Sequence, residues 1–290
     1  MKKTGLLYII IASVLWGTSG IFVHHLAPYG ITSMQMTLIR SLVSFICIAG
    51  YILISDRTLF RTNLKELLLF AGSGLSFFST ATCYYHSMQL TSISTAVVLM
   101  YTAPIFVMIY SVMFLGEKLT KTKLIAVIAK LIGCALVSGI IGGLKFNALG
   151  ILIGFMSGIS YASYNILTKI AMQKGINPIK ANLYCFIIGT IIGLAVSNPP
   201  GLITSMSAAP IVTSLLGIGV GIVACVLPYF FYTLALREIP AGTASSLGIL
   251  EPMAATILSI IIFGEVLYVS SAIGIVLILA AVFMLGKESE

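Results

Sequence analysis

Charge is scarce in this chain. Only 8% of its 290 residues are Asp, Glu, Lys or Arg, against about 25% in an ordinary soluble domain. That scarcity excludes a soluble globular protein of this length, because 59% of the residues are hydrophobic and the mean hydropathy is +1.12. So few polar groups cannot cover so large an apolar interior, and lipid is the solvent that suits the composition. Cysteine is sparse too. Cys47, Cys83, Cys134, Cys185 and Cys225 fall inside apolar segments with no CxxC or Cys/His spacing, which argues for small buried residues and against metal or redox chemistry. No Walker sequence, dinucleotide fingerprint, HExxH or cluster of carboxylates occurs. ATP-driven transport within the chain and metal-assisted hydrolysis therefore lack their residues, and neither a cofactor nor a metal is expected. The net charge of +8 does not point to nucleic acid, since the sixteen Lys and Arg lie in short clusters between apolar runs.

What is present is a series of such runs. A membrane span needs roughly 20 mostly apolar residues. Ten fit, at about 4–26, 32–54, 67–87, 93–115, 124–142, 148–172, 178–197, 210–236, 241–263 and 268–286. The first is too long for the apolar core of a signal peptide. The basic residues set the orientation. With the N-terminus in the cytoplasm, Lys2, Lys3, Arg57, Arg61, Lys65, Lys118, Lys121, Lys123, Lys169, Lys174, Lys180, Arg237 and Lys287 all fall at cytoplasmic ends, and only Lys145 falls outside. The expectation is a multi-pass protein of the cell (plasma or inner) membrane with both termini cytoplasmic. The stretch from Asn198 to Pro210 reads as an uncharged outer loop.

The chain also repeats itself. Displacing it by 148 residues pairs Tyr84 with Tyr232, Thr95-Ala96 with Thr243-Ala244, Leu99 with Leu247, Pro104 with Pro252 and Gly116-Glu117-x-Leu119 with Gly264-Glu265-x-Leu267. Residues 84–131 give twelve identities in 48 ungapped positions, about twice what apolar composition alone supplies. The boundary divides the chain into 1–145 and 146–290, five spans each. An odd number of spans sends the second half through the membrane upside down. Inverted repeats of this kind are a mark of secondary transporters, whose two halves can exchange conformations.

Two five-helix halves, each with a Pro about twelve residues before Gly-Glu, resemble the drug/metabolite transporter superfamily and its EamA-type members. The matching elements read Pro104 to Gly116-Glu117-Lys118-Leu119 and Leu250-Glu251-Pro252 to Gly264-Glu265-Val266-Leu267, with Leu15-Trp16-Gly17-Thr18-Ser19 in the first span and Arg40 in the second. The resemblance covers essentially the whole chain. It implies an all-α fold of ten transmembrane helices in two inverted five-helix repeats around a central cavity. Helices one to four and six to nine line that cavity. The implied activity is export or exchange of small polar or amphipathic metabolites such as amino acids or amines, by a monomer or homodimer, without enzymatic activity.

Several residues are suited to the work. Glu251 lies mid-span on a stripe of small residues; a carboxylate there costs at least about 2.5–3.5 kcal/mol and calls for a compensating role. It is suited to accept a substrate ammonium or a coupling proton, or to hydrogen-bond a helix end freed by Pro252. His86 continues a polar stripe with Ser79, Cys83 and Gln89 and is the second proton-coupling candidate; the other reading is an interfacial residue without a role. Trp16 is the only Trp and sits mid-span with Ser19 on its face. Tyr161 and Asn165 occupy the matching face of the sixth span, and Tyr85 and Tyr101 extend the same wall. Rings, hydroxyls and small residues together fit an amphipathic solute. Arg40 either meets a substrate carboxylate, pairs with a carbonyl at a helix end, or snorkels outward; Lys130 and Lys169 are expected to snorkel to the cytoplasmic face. Glu117 and Glu265 read as helix-capping residues, and Pro104, Pro228 and Pro252 as helix interruptions. The other class of function in view is a membrane-embedded lipid-handling enzyme or scramblase-like protein.

Overall fold

The computed structural model describes residues 3–116, 120–137, 147–264 and 268–288. Glu117, Glu265 and Lys145 lie outside these, so the two capping assignments and the one outer lysine have no structural counterpart here. Among the described residues there are helices and no strand. In order they are α1 Lys3–Gly17, α2 Ser19–Leu26, α3 Ser33–Ser55, α4 Leu64–Leu90, α5 Ile93–Met100, α6 Ala103–Leu115 and α7 Lys121–Val137, then α8 Ala148–Gln173, α9 Pro178–Val196, α10 Pro199–Ser207, α11 Pro210–Gly221, α12 Leu227–Glu238, α13 Ala241–Leu247, α14 Leu250–Phe263 and α15 Val269–Glu288.

Several of these join end to end into continuous rods. By length and composition, eight rods are able to cross a membrane, and a shorter apolar helix, Val269–Met284, follows them. Side chains such as Ile54, Leu64, Ile211 and Val269 are apolar and exposed, the surface a bilayer solvates. The uncharged connection between α9 and α11 is itself largely helical, because Asn198 accepts a hydrogen bond from the Gly201 N–H and the two prolines after it supply helical φ at no cost in donors, giving α10.

The local starts and stops follow from single residues. Thr32 and Gln35 form a reciprocal capping box at α3, Asn63 caps α4 through the Glu66 N–H, and Asn147 caps α8 through the Gly150 N–H. Gly116 and Gly264 end α6 and α14 with φ of 65° and 67°, a left-handed turn that favours glycine.

Long rods break where the prolines are. Pro104 and Pro252 follow the α5–α6 and α13–α14 junctions, and Pro228 follows a π-helical turn, Ile222–Val226, between α11 and α12. A proline lacks the N–H that would close the turn behind it, so each leaves a backbone carbonyl unclaimed.

Inside lipid, packing and hydrogen bonds hold helices together, since lipid tails are as apolar as Leu. Accordingly α4 packs along α8, α12 along α1, α3 along α9 and α7 along α15. The last pair meets glycine to glycine. A Cβ on Gly133 would stand 2.8 Å from the Gly274 carbonyl oxygen, and one on Gly274 2.5 Å from that of Gly133.

Two lysines depart from the snorkelling expectation. Lys169 is buried, and its Nζ donates to the carbonyls of Leu236 (2.6 Å) and Ile239 (2.7 Å), closing the C-terminal end of α12. Lys130 is fully buried on the packed face of α7, with no hydrogen-bond partner for Nζ among the described residues. The stem of a lysine snorkels only where solvent is at its tip, and here the chain itself covers both. Lys169→Met is expected to lower unfolding stability by about 2–3 kcal/mol, the scale of lost hydrogen bonds from a charged donor. Thermal unfolding in detergent against wild type checks this, and an unchanged midpoint would count against it.

Candidate functional site

Five side chains lie deep among protein atoms and still keep solvent-reachable surface: Arg40 on α3, Tyr85 on α4, Tyr161 on α8, Tyr229 on α12 and Glu251 on α14. These groups come from helices of both halves of the chain and lie within electrostatic reach of one another, and together they form the candidate site.

Glu251 stands in the first turn of α14, immediately after the break. Its own N–H donates to the Gly248 carbonyl at 3.0 Å, a tight turn that aims the side chain inward while Pro252 starts the next helix. The Tyr101 hydroxyl is its polar neighbour, with Tyr161 and the Arg40 charge in electrostatic reach. Tyr101 itself is buried, 4% exposed. Arg40 and Glu251 do not meet in an ion pair.

Arg40 is held by backbone. Its Nη2 donates to the Ala224 carbonyl at 2.8 Å. Ala224 lies four residues before Pro228, so this is the carbonyl that the proline leaves without its helical partner. Of the three readings for Arg40, pairing with a freed helix carbonyl is present in the structure, through one edge of the guanidinium. Beside it Ser44 Oγ on α3 donates to the Gly221 carbonyl at 3.4 Å, and the Asn182 amide on α9 donates to the Tyr229 carbonyl at 3.5 Å, so the interrupted rod is tied to its neighbours by side chains.

Trp16 is 4% exposed and packs edge-on to Tyr229, with ring centroids 5.1 Å apart at 79°, and against Tyr232 at 5.2 Å. The Tyr232 hydroxyl donates to Asn165 Oδ1, and the Asn165 amide donates to the Tyr161 carbonyl at 2.6 Å. Trp16 thus reaches Tyr161 and Asn165 through Tyr232. The reason is packing: α1 lies along α12 and α14, whereas α8 lies along α4. Tyr229 is the hub of this wall, meeting Trp16, Phe77, Tyr164 and Phe186 edge-on, an arrangement that aromatic quadrupoles favour. Ser19 is half-buried beside the α1–α2 break.

One expected residue sits differently, and one unexpected residue joins the site. His86 is exposed near the end of α4 and makes no hydrogen bond, ion pair or ring contact with described residues. The polar stripe it belongs to is only half-buried at Ser79 and Cys83, whereas α4 buries Phe70, Ser73, Gly74, Phe77, Phe78 and Ser87. Tyr229 was hidden in sequence, being one ring in the run Tyr229-Phe230-Phe231-Tyr232. Its place just after Pro228 was the one available signal, since a break aims the following turn into the protein.

A bundle of long apolar helices with charged and aromatic side chains held deep inside it fits a multi-pass membrane protein. The chain belongs to the EamA-like transporter family, whose pattern it matches twice, over residues 3–139 and 148–287. It is 29% identical over 280 residues to an uncharacterized transporter of Archaeoglobus fulgidus, covering 97% of this chain and 95% of the relative. It is 25% identical to the uncharacterized transporter YwfM of Bacillus subtilis, covering 97% and 93%. It is 23% identical to the uncharacterized inner membrane transporter YicL of Salmonella typhimurium, covering 99% and 97%. A solved crystal structure only 16% identical superposes over 100% of both chains with a TM-score of 0.82, and so shares this fold.

Proposed function

We propose that this protein is a secondary active transporter that exports or exchanges small polar or amphipathic metabolites, such as amino acids or amines, by alternating access. The observation that carries the reading is a pair of opposite charges deep in the bundle. Arg40 and Glu251 lie in electrostatic reach without pairing, each keeping accessible surface among aromatic side chains, and we read the space between them as a solute cavity. A void of that kind suits a solute with polar ends and an apolar body.

The inverted repeat, 1–145 against 146–290, supplies the mechanism, with ten spans and both termini in the cytoplasm. Its support is the exchange pattern of the packing. The pairing of α4 with α8 is matched by α12 with α1, and that of α5 and α6 on α8 by α13 and α14 on α1. The left-handed Gly116 and Gly264 stand in equivalent places. Alternating access further requires that equivalent segments be in different states. Residues 241–250 are buried throughout, and α13 packs on α6. Their equivalents Val97, Val98, Met100 and Thr102 keep surface, and α5 makes no comparable packing with α14. This asymmetry supports a state closed at the cytoplasmic face and open to the other. The ion pair of Lys180 with Glu66, joining α9 to α4, stands at the closed face.

Glu251 is the better placed of the two coupling candidates, because it shares the cavity with the solute. The test is flux in proteoliposomes for a panel of labelled amino acids, amines and nucleosides, with and without an imposed pH gradient. Saturable flux that responds to the gradient is the expected result. Absence of saturable flux for every solute would overturn the reading and bring lipid substrates forward.

A further inference from the structure

We infer that Arg40 is the anion-binding element of the cavity, and that the transported solute is a zwitterion held between Arg40 and Glu251; this rests on the transporter reading above. A guanidinium keeps its charge at any physiological pH and carries five N–H donors in a flat fork. In this cavity Nη2 spends itself on the Ala224 carbonyl, and Nε is buried without a partner. Nη1 is neither sealed nor hydrogen-bonded, so it is the edge that reaches the void.

The neighbours of Arg40 are the hydroxyl-bearing rings of Tyr85 and Tyr229, the Cys225 thiol and, further off, Glu251. No carboxylate among the described residues touches it. A permanent cation inside the membrane with only a neutral carbonyl and the neighbouring Cys225 thiol for partners is poorly compensated. A carboxylate at the free edge completes it with charge-assisted bonds of the strong kind.

Glu251 is left in the complementary position, a carboxyl with the Tyr101 hydroxyl for a neighbour, Tyr161 in electrostatic reach and no cation among the described residues in contact. It is suited to an ammonium. The anchoring also has a mechanical side. Ala224 lies in the π-helical turn before Pro228, where the rod of α11 and α12 can bend. Filling the guanidinium edge therefore bears on the same carbonyl that marks the bend.

The test compares one labelled α-amino acid that the wild type carries with its decarboxylated amine and its deaminated acid. Wild type is expected to carry the amino acid at least tenfold better than the amine, and to be inhibited by the amine and the acid each more weakly than by the amino acid. Arg40→Gln is expected to lose the tenfold preference for the amino acid over the amine, through loss of amino acid flux. Monodispersity in detergent and an unfolding midpoint near that of wild type check that the variant is folded. Arg40→Lys keeps the charge without the fork and is expected to fall between, and it serves in place of Arg40→Gln should that variant not fold. Equal wild-type flux of amine and amino acid, or unchanged discrimination in both variants, would overturn the role of Arg40 and leave the transporter reading standing. No saturable flux of any panel solute would overturn both.

Discussion

Glu251→Gln is expected to cut saturable flux at least tenfold and to remove its response to a pH gradient, while the protein still inserts and remains monodisperse. The substitution keeps the shape of the side chain and its hydrogen-bonding capacity toward Tyr101, and deletes only the ionisable group. A hydrogen bond to a charged partner is worth about 1.5–3 kcal/mol, which converts to between ten- and a hundredfold in a binding or transport constant. Folding has no reason to suffer. A carboxyl deep in the bundle carries a desolvation cost that the amide does not, so the variant is expected to unfold at the same temperature or higher. Glu251→Asp keeps the charge on a shorter stem and is expected to retain a gradient response with weaker flux. Normal gradient-driven flux in Glu251→Gln would leave Glu251 as a partner for the helix end beside Pro252 and nothing more.

Much of this architecture was legible because membrane folds are ruled by few constraints. Lipid demands long apolar runs and internally satisfied backbone, so rods and their proline breaks can be read from residue types. Pro104, Pro228 and Pro252 each lie just past an observed interruption. Asn165, in an apolar span, has few ways to be satisfied, and it is found hydrogen-bonded to Tyr232 and Tyr161. What sequence could not carry is which rod lies beside which. Trp16 and Tyr161 align in the repeat, yet α1 packs on α12 and α14, so Trp16 meets Tyr229 and Tyr232 first. The same gap explains the lysines. Lys169 near a helix end reads as a snorkelling side chain until the C-terminal carbonyls of α12 are set beside it. His86 is the other side of the same gap: its polar stripe fits either a coupling residue or an interfacial one, and its exposure on α4 favours the interfacial reading.

Gly17 marks the contact on which the Glu251 geometry depends, and Gly17→Ala is expected to reduce flux at least tenfold. It is the last residue of α1, next to Trp16. A Cβ built there lies 2.9 Å from the Ala254 Cβ and 2.9 Å from the Ala255 backbone nitrogen. Backbone cannot rotate out of the way as a side-chain tip can, so α14 itself must shift, and Glu251 sits one turn away on the same helix. Overpacking of this kind typically costs about 1–3 kcal/mol, enough to move a site without preventing assembly. Gly20→Ala is the control. It lies three residues on in α2, and a Cβ there meets nothing within 4 Å. With alanine the better helix former by about 0.5–1 kcal/mol, Gly20→Ala is expected to transport as wild type and unfold no earlier. If both variants transported normally, the α1–α14 junction would have slack that the interatomic distances deny, and the position of Glu251 would have to be set from the α7 and α8 side of the cavity instead.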